Sequence, residues 1–205
     1  MTKIKVCGLA REEDVRSASD LGAEYLGFNF ACSSPRRVTR DKARELARLA
    51  RGALRVGVFV DETPEEIEAA SRAASLDLVQ LHRDLREEDL ALPLPVIAVV
   101  AVSREGARPP SLEILSRCHA VLFDSDDATR TGPRVPFDWG AWTGERAPVP
   151  VWLGGGLTAE NVAGAIRTFR PAGVDVASGV EASPGVKDPD RMRRFFHAVR
   201  SADGG

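Results

Sequence analysis

The feature that most constrains this chain is an alternation. Short apolar runs rich in Val, Ile, Leu and Phe are separated by longer Ala/Arg/Glu segments whose apolar residues keep helical spacing. Eight runs have strand character: 4–7, 24–30, 55–60, 76–81, 96–102, 120–124, 149–153 and 174–178. Helical spacing occupies 12–21, 40–51, 64–74, 86–92, 111–117, 139–143, 159–169 and 190–200. Thr63 before Pro64 with Glu66 in the first turn, and Thr158 ahead of Glu160, are helix-start signals. Strict alternation implies a mostly parallel sheet. Eight repeats favour a closed α/β architecture, the (β/α)8 TIM barrel, over an open flavodoxin-like sheet, which needs fewer strands. The 205 residues are short for that barrel and supply one core. The expectation is therefore a single domain over 1–205 with a short flexible tail at 201–205. The middle units are the least regular, because Pro109, Pro110, Pro133 and Pro136 interrupt them.

Charge and composition exclude several functions. Lys plus Arg number 28 against 30 Asp plus Glu, so the net charge of -2 offers no summed positive field for nucleic acid or an acidic membrane. The most apolar stretch, Leu90 to Val102, is short and broken by Pro93 and Pro95, and the N-terminus enters a strand directly, so neither a membrane span nor a signal peptide is expected. Cys7, Cys32 and Cys118 are scattered rather than paired, which fits a reducing, cytoplasmic setting. His82, His119 and His197 are isolated, with no metal-binding spacing nearby. Gly154-Gly155-Gly156 lacks the later glycine and acidic residue of a dinucleotide site. No metal or cofactor is therefore expected, and cofactor-free chemistry on a phosphorylated small molecule is the surviving enzyme class.

In such a barrel the loops after the C-terminal strand ends build the active site. Here those ends carry Lys5-Val6-Cys7-Gly8, Ser34-Pro35-Arg36, Gln80-Leu81-His82, Asp124-Ser125, Gly154-Gly155-Gly156 and Ser178-Gly179-Val180-Glu181. Bare glycine backbone lets N–H groups approach an anion closely, and the seventh and eighth strand turns of a barrel are a frequent phosphate site. Gly155, Gly156, Ser178 and Gly179 are the candidates; the bland alternative is tight βα turns. Cys7 is either a small buried hydrophobe or a reactive thiol. Alternation puts Lys5 on its face of the strand, where an ammonium favours thiolate. Asp124 ends an otherwise apolar strand, so it is paired, a cap, or functional. Arg36 follows a rigid Ser34-Pro35 turn and is either a presented guanidinium or a solvated one.

Taken in order, these segments resemble the phosphoribosylanthranilate isomerase family nearly end to end. The resemblance also rests on Gly27-Phe28-Asn29-Phe30, Val56-Gly57-Val58-Phe59-Val60, Phe137-Asp138-Trp139, Asn161-Val162, Val174-Asp175-Val176 and Gly185-Val186-Lys187-Asp188. It implies the Amadori rearrangement of N-(5-phosphoribosyl)anthranilate to 1-(2-carboxyphenylamino)-1-deoxyribulose 5-phosphate in tryptophan biosynthesis; a monomer and a homodimer both stay open. It places the general base at Cys7 and the general acid at Asp124. Arg36 would hold the anthranilate carboxylate, Asp175 a substrate hydroxyl, and the last two strand turns the phosphate. This chain departs from the family pattern at Arg83, where glycine is usual, and in the fifth strand, where a lysine is missing from Val96-Ile97-Ala98-Val99. It departs again at 131–136, which keeps one glycine of the usual run; Arg130 and Arg134 either replace some of its contacts to the phosphorylated substrate or are solvated in a surface loop. Three readings remain beside this one. A bifunctional isomerase that also serves the histidine pathway would carry aspartate at Cys7, a Schiff-base aldolase would need a lysine at a strand end, and a degenerate barrel would only bind ligand.

Overall fold

In the computed structural model the described residues are 1–103, 106–107, 109–125 and 147–204. The chain runs β1 (Lys3–Val6), α1 (Glu12–Asp20), β2 (Tyr25–Asn29), α2 (Arg40–Ala47), β3 (Leu54–Phe59), α3 (Pro64–Ala74) and β4 (Leu78–Leu81). It continues through β5 (Val96–Ser103), β6 (Gly106–Ala107), α4 (Leu112–Ser116), β7 (Ala120–Ser125), β8 (Val151–Leu153), α5 (Val162–Phe169), β9 (Gly173–Val176), β10 (Glu181–Ser183), β11 (Val186–Lys187) and α6 (Pro189–Asp203). The strand order is β4-β3-β2-β1-β9-β8-β7-β5, and β4 also pairs with β5, so the parallel sheet closes on itself. This is the (β/α)8 barrel expected from the alternation. Closure leaves none of these eight strands at an open edge.

Period-2 alternation sorts every strand into an outward face against the helices and an inward face into the barrel. The outward residues, among them Ile4, Leu26, Phe59, Leu81, Val121 and Val174, join the helices in the main core. Inside, Tyr25, Val56, Leu78, Ile97, Leu122 and Trp152 form a separate apolar plug. Tyr25 meets Trp152 edge to face at 4.5 Å between ring centroids. Above the plug the inward positions turn polar, with Lys5 and Gln80 fully buried. The barrel is thus plugged by apolar side chains at one end and polar toward the other.

Local signals explain the helices that hold the strands. Thr63 accepts from the Glu66 backbone N–H while Glu66 answers to the Thr63 N–H, a complete capping box ahead of Pro64. Thr158 instead accepts from the Glu160 N–H in a turn, and α5 begins later, at Val162. The segment expected as a helix over 86–92 is a single 3₁₀ turn, Glu87–Ala91, ended by Pro93 two residues on. At the end of the described chain, in the segment expected as a tail, α6 continues to Asp203. Its carboxylate takes the Thr2 backbone N–H and hydroxyl, both at 2.7 Å, fastening the first strand to the last helix. The helix expected over 139–143, the Phe137-Asp138-Trp139 motif and the 130–136 loop with Arg130 and Arg134 lie outside the described residues.

Candidate active site

The C-terminal strand ends open into a cavity of about 360 Å³. All eight residues singled out in the sequence line it: Cys7, Arg36, Asp124, Gly155, Gly156, Asp175, Ser178 and Gly179. They come from β7, β9 and the loops after β1, β2, β8 and β9, so 171 residues of chain separate the first from the last before folding joins them. His82, Arg83 and Asp84 line the same space.

Cys7 follows β1, its N–H bonded to the Val176 carbonyl oxygen at 2.8 Å. Lys5 sits one inward position below, fully buried, with its ammonium 3.0 Å from Asp175 Oδ1. This close assembly requires Gly27 on the neighbouring strand. A Cβ there would fall 3.0 Å from Cys7 Sγ and 3.1 Å from Lys5 Nζ. Burial weakens the Lys5 ammonium, but Asp175 and Cys7 outweigh it and hold it charged. For Cys7 the balance reverses. Burial pushes the thiol above its ordinary value, and Lys5 recovers only part of that. The ammonium expected below the thiol is in place, but its pull toward thiolate is smaller than the desolvation opposing it.

Both glycine turns line the cavity. Gly155 and Gly156 have φ of 75° and 67°, the left-handed region that glycine enters without strain. Asn161 fastens their loop, accepting from the Thr158 N–H at 2.8 Å and donating to the Gly156 carbonyl at 2.9 Å. The turn after β9 lies against the first one so closely that a Cβ at Gly179 would be 1.8 Å from the Leu157 carbonyl oxygen. Gly179→Ala must therefore force the two turns apart. A displacement of that kind next to a bound group is expected to lower kcat/KM by about a hundredfold, chiefly through KM. Steady-state kinetics check this, with circular dichroism to verify the fold.

Arg36 reaches the cavity from the turn after β2, where its N–H donates to Ser34 Oγ at 3.2 Å. Its guanidinium is already half engaged: Nε and Nη2 meet Glu181 Oε1 and Oε2 at 2.8 and 2.6 Å. Glu181 also takes the buried Lys187 ammonium at 2.9 Å, and Lys187 donates to the carbonyls of Cys7 and Ala177 at 2.7 and 3.1 Å. Burial pushes the Glu181 carboxyl up, but these two cations prevail and hold it below the usual carboxylate value. Glu181 and Lys187 stood within the quoted motifs, but the sequence assigned neither a role of its own. They lie on the antiparallel β10–β11 pair, a short hairpin that follows no repeat of the barrel pattern.

A closed parallel barrel that gathers a thiol, a carboxylate, a guanidinium and glycine turns at one mouth belongs to the (β/α)8 class that places its chemistry at the C-terminal strand ends. Comparison with known proteins narrows the class. The family model described as N-(5'-phosphoribosyl)anthranilate (PRA) isomerase matches residues 4–198. The chain is 40% identical to the N-(5'-phosphoribosyl)anthranilate isomerase of Bradyrhizobium sp. (strain ORS 278), over 98% of this chain and 96% of the relative. It is 41% identical to that of Streptococcus pneumoniae (strain Hungary19A-6), over 100% and 99%. Among solved structures, the phosphoribosyl anthranilate isomerase of Thermotoga maritima superposes with a TM-score of 0.85 at 35% identity, over the whole of both chains. A further isomerase, solved with reduced 1-(o-carboxyphenylamino)-1-deoxyribulose 5-phosphate, gives a TM-score of 0.78 at 33% identity, covering 98% of this chain and 100% of that one. This chain belongs to the N-(5'-phosphoribosyl)anthranilate isomerase family.

Proposed function

We propose that the protein isomerises N-(5-phosphoribosyl)anthranilate to 1-(2-carboxyphenylamino)-1-deoxyribulose 5-phosphate in tryptophan biosynthesis, by general acid–base catalysis without a cofactor. The observation that carries the residue assignments is the meeting of Cys7, Asp124 and Arg36 in one cavity with the glycine turns. Asp124 delivers a proton to the furanose ring oxygen as the C1'–O bond breaks and the anthranilate nitrogen lone pair forms the iminium. Cys7 thiolate then removes the proton from C2', giving the enolamine that tautomerises to the ketone. The phosphate lies against the Gly155-Gly156 and Ser178-Gly179 turns, whose bare backbone lets N–H groups reach its oxygens. Asp175, with Lys5 on Oδ1, presents its other oxygen to a substrate hydroxyl.

Arg36 holds the anthranilate carboxylate with the guanidinium edge that Glu181 leaves open. Arg36→Met should raise KM with little change in kcat, because the carboxylate is present in ground and transition states alike. The cost is about 1.5–3 kcal/mol, the size of a hydrogen bond between charged groups. An equal fall in kcat would remove Arg36 from this role.

A monomer or homodimer in the cytoplasm fits this activity, since the base must remain a free thiol and Cys7, Cys32 and Cys118 are all unpaired. Among the described residues no helix is long and apolar enough to cross a membrane. The direct test is the loss of anthranilate fluorescence when purified protein meets freshly made substrate. Fluorescence that decays no faster than substrate hydrolyses by itself would leave ligand binding alone.

A further inference from the structure

We infer that Glu181 is a positioning residue for substrate recognition: its buried carboxylate fixes the orientation of Arg36 and so decides which edge of the guanidinium an aromatic carboxylate meets. The inference rests on the carboxylate-binding role proposed for Arg36 and extends it to a residue outside the cavity lining.

An arginine side chain left to itself spreads over many rotamers, and a ligand that orders it loses affinity in doing so. Arg36 has been ordered in advance. Its stem lies over Gly8, where a Cβ would fall 2.4 Å from Arg36 Cδ, and its head is held by the paired bonds to Glu181. Glu181 cannot follow a moving arginine. It is almost fully buried, Oε1 also accepts from the Gly185 N–H at 3.2 Å, and Lys187 grips it at 2.9 Å. Lys187 is anchored in turn to the carbonyls that follow β1 and β9, and its N–H donates to Asp14 Oδ2 at 3.1 Å.

The consequence is geometric. With Nε and Nη2 committed side-on, the donors left for a ligand are those at the Nη1–Nη2 end of the guanidinium. A planar carboxylate can meet that end with two parallel hydrogen bonds. Because one carboxylate is shared between two cations, Arg36 keeps charge to attract the second anion. Residues that act on recognition in this way should affect discrimination between ligands more than the chemical step.

The test compares two ligands: reduced 1-(2-carboxyphenylamino)-1-deoxyribulose 5-phosphate, and the same molecule with an unsubstituted phenyl ring. Their dissociation constants are measured for wild type, Arg36→Met, Glu181→Gln and the double variant. Wild type should prefer the carboxylate ligand, and Glu181→Gln should lose about tenfold or more of that preference, the scale of one charge-assisted hydrogen bond. The double variant should lose no more than Arg36→Met alone, since both changes act through one guanidinium. If Glu181→Gln does not fold, Glu181→Asp replaces it, keeping the charge for Lys187 on an arm one methylene shorter, and the same loss is expected. Equal weakening of both ligands would overturn the positioning role and mark Glu181 as structural only. Full preference retained in Glu181→Gln but lost in Arg36→Met would overturn it while leaving the Arg36 assignment standing. A wild type that binds both ligands equally and turns over no substrate would instead overturn the proposed function.

Discussion

Cys7→Ala should lower kcat by about two to four orders of magnitude while leaving KM within a few-fold of wild type, because only the proton abstraction from C2' loses its catalyst. The thiol lies between Lys5, Gly27 and the cavity, and alanine occupies the same space without strain, so the fold should survive the change. The wild-type pH profile provides a second measurement. A base must be deprotonated to act, and burial holds the Cys7 thiol above its ordinary value against the pull of Lys5. The thiolate fraction is therefore small at neutral pH and grows as pH rises, so the rate at which iodoacetamide alkylates Cys7 should still be climbing above the ordinary thiol value, whereas in kcat/KM the gain in thiolate is offset by the loss of protonated Asp124. Near wild-type turnover in Cys7→Ala would exclude the thiol as base. An alkylation rate that levels off at or below the ordinary thiol value would mean that burial does not hold the Cys7 thiol up.

Asp124→Asn should be about as damaging, at two to four orders of magnitude in kcat, since an amide keeps the shape of the side chain but has no proton to deliver to the ring oxygen. Asp124 sits on β7, where its register partner on β5 is Ala101, also at the cavity. Around the barrel β7 lies three strands from β1, so Asp124 and Cys7 face the cavity from different strands. Binding of the reduced product analogue, which needs no proton transfer, should persist in the variant, and this separates the catalytic loss from misfolding. Asp124→Asn turning over at the wild-type rate would sink the acid assignment and move ring opening to another group in the mouth.

Much of this was visible in one dimension. A period-2 run ends after a fixed few residues whatever its neighbours do, so β1 to β5, β7, β8 and β9 could be read from Val, Ile and Leu spacing alone. Because a barrel puts its chemistry after its strands, reading the strand ends was enough to collect Cys7, Asp124, Arg36 and the glycine turns, while Asp175 entered through the family resemblance. Capping gave Thr63 as a start because the box is a local pattern of four residues.

What the sequence by itself determined, then, is the order of strands and helices and the residue types offered at each strand end; both depend on contacts between neighbours along the chain. Only the tertiary structure decided how those residues act on one another. The Arg36–Glu181 fork spans 145 positions of sequence and the Lys187–Cys7 contact spans 180, separations at which no periodicity carries information. The protonation of Cys7 was decided there as well: alternation places Lys5 beneath the thiol, but the cost of burying a charge depends on everything packed around it, and that excess of desolvation over attraction exists only once the barrel has closed.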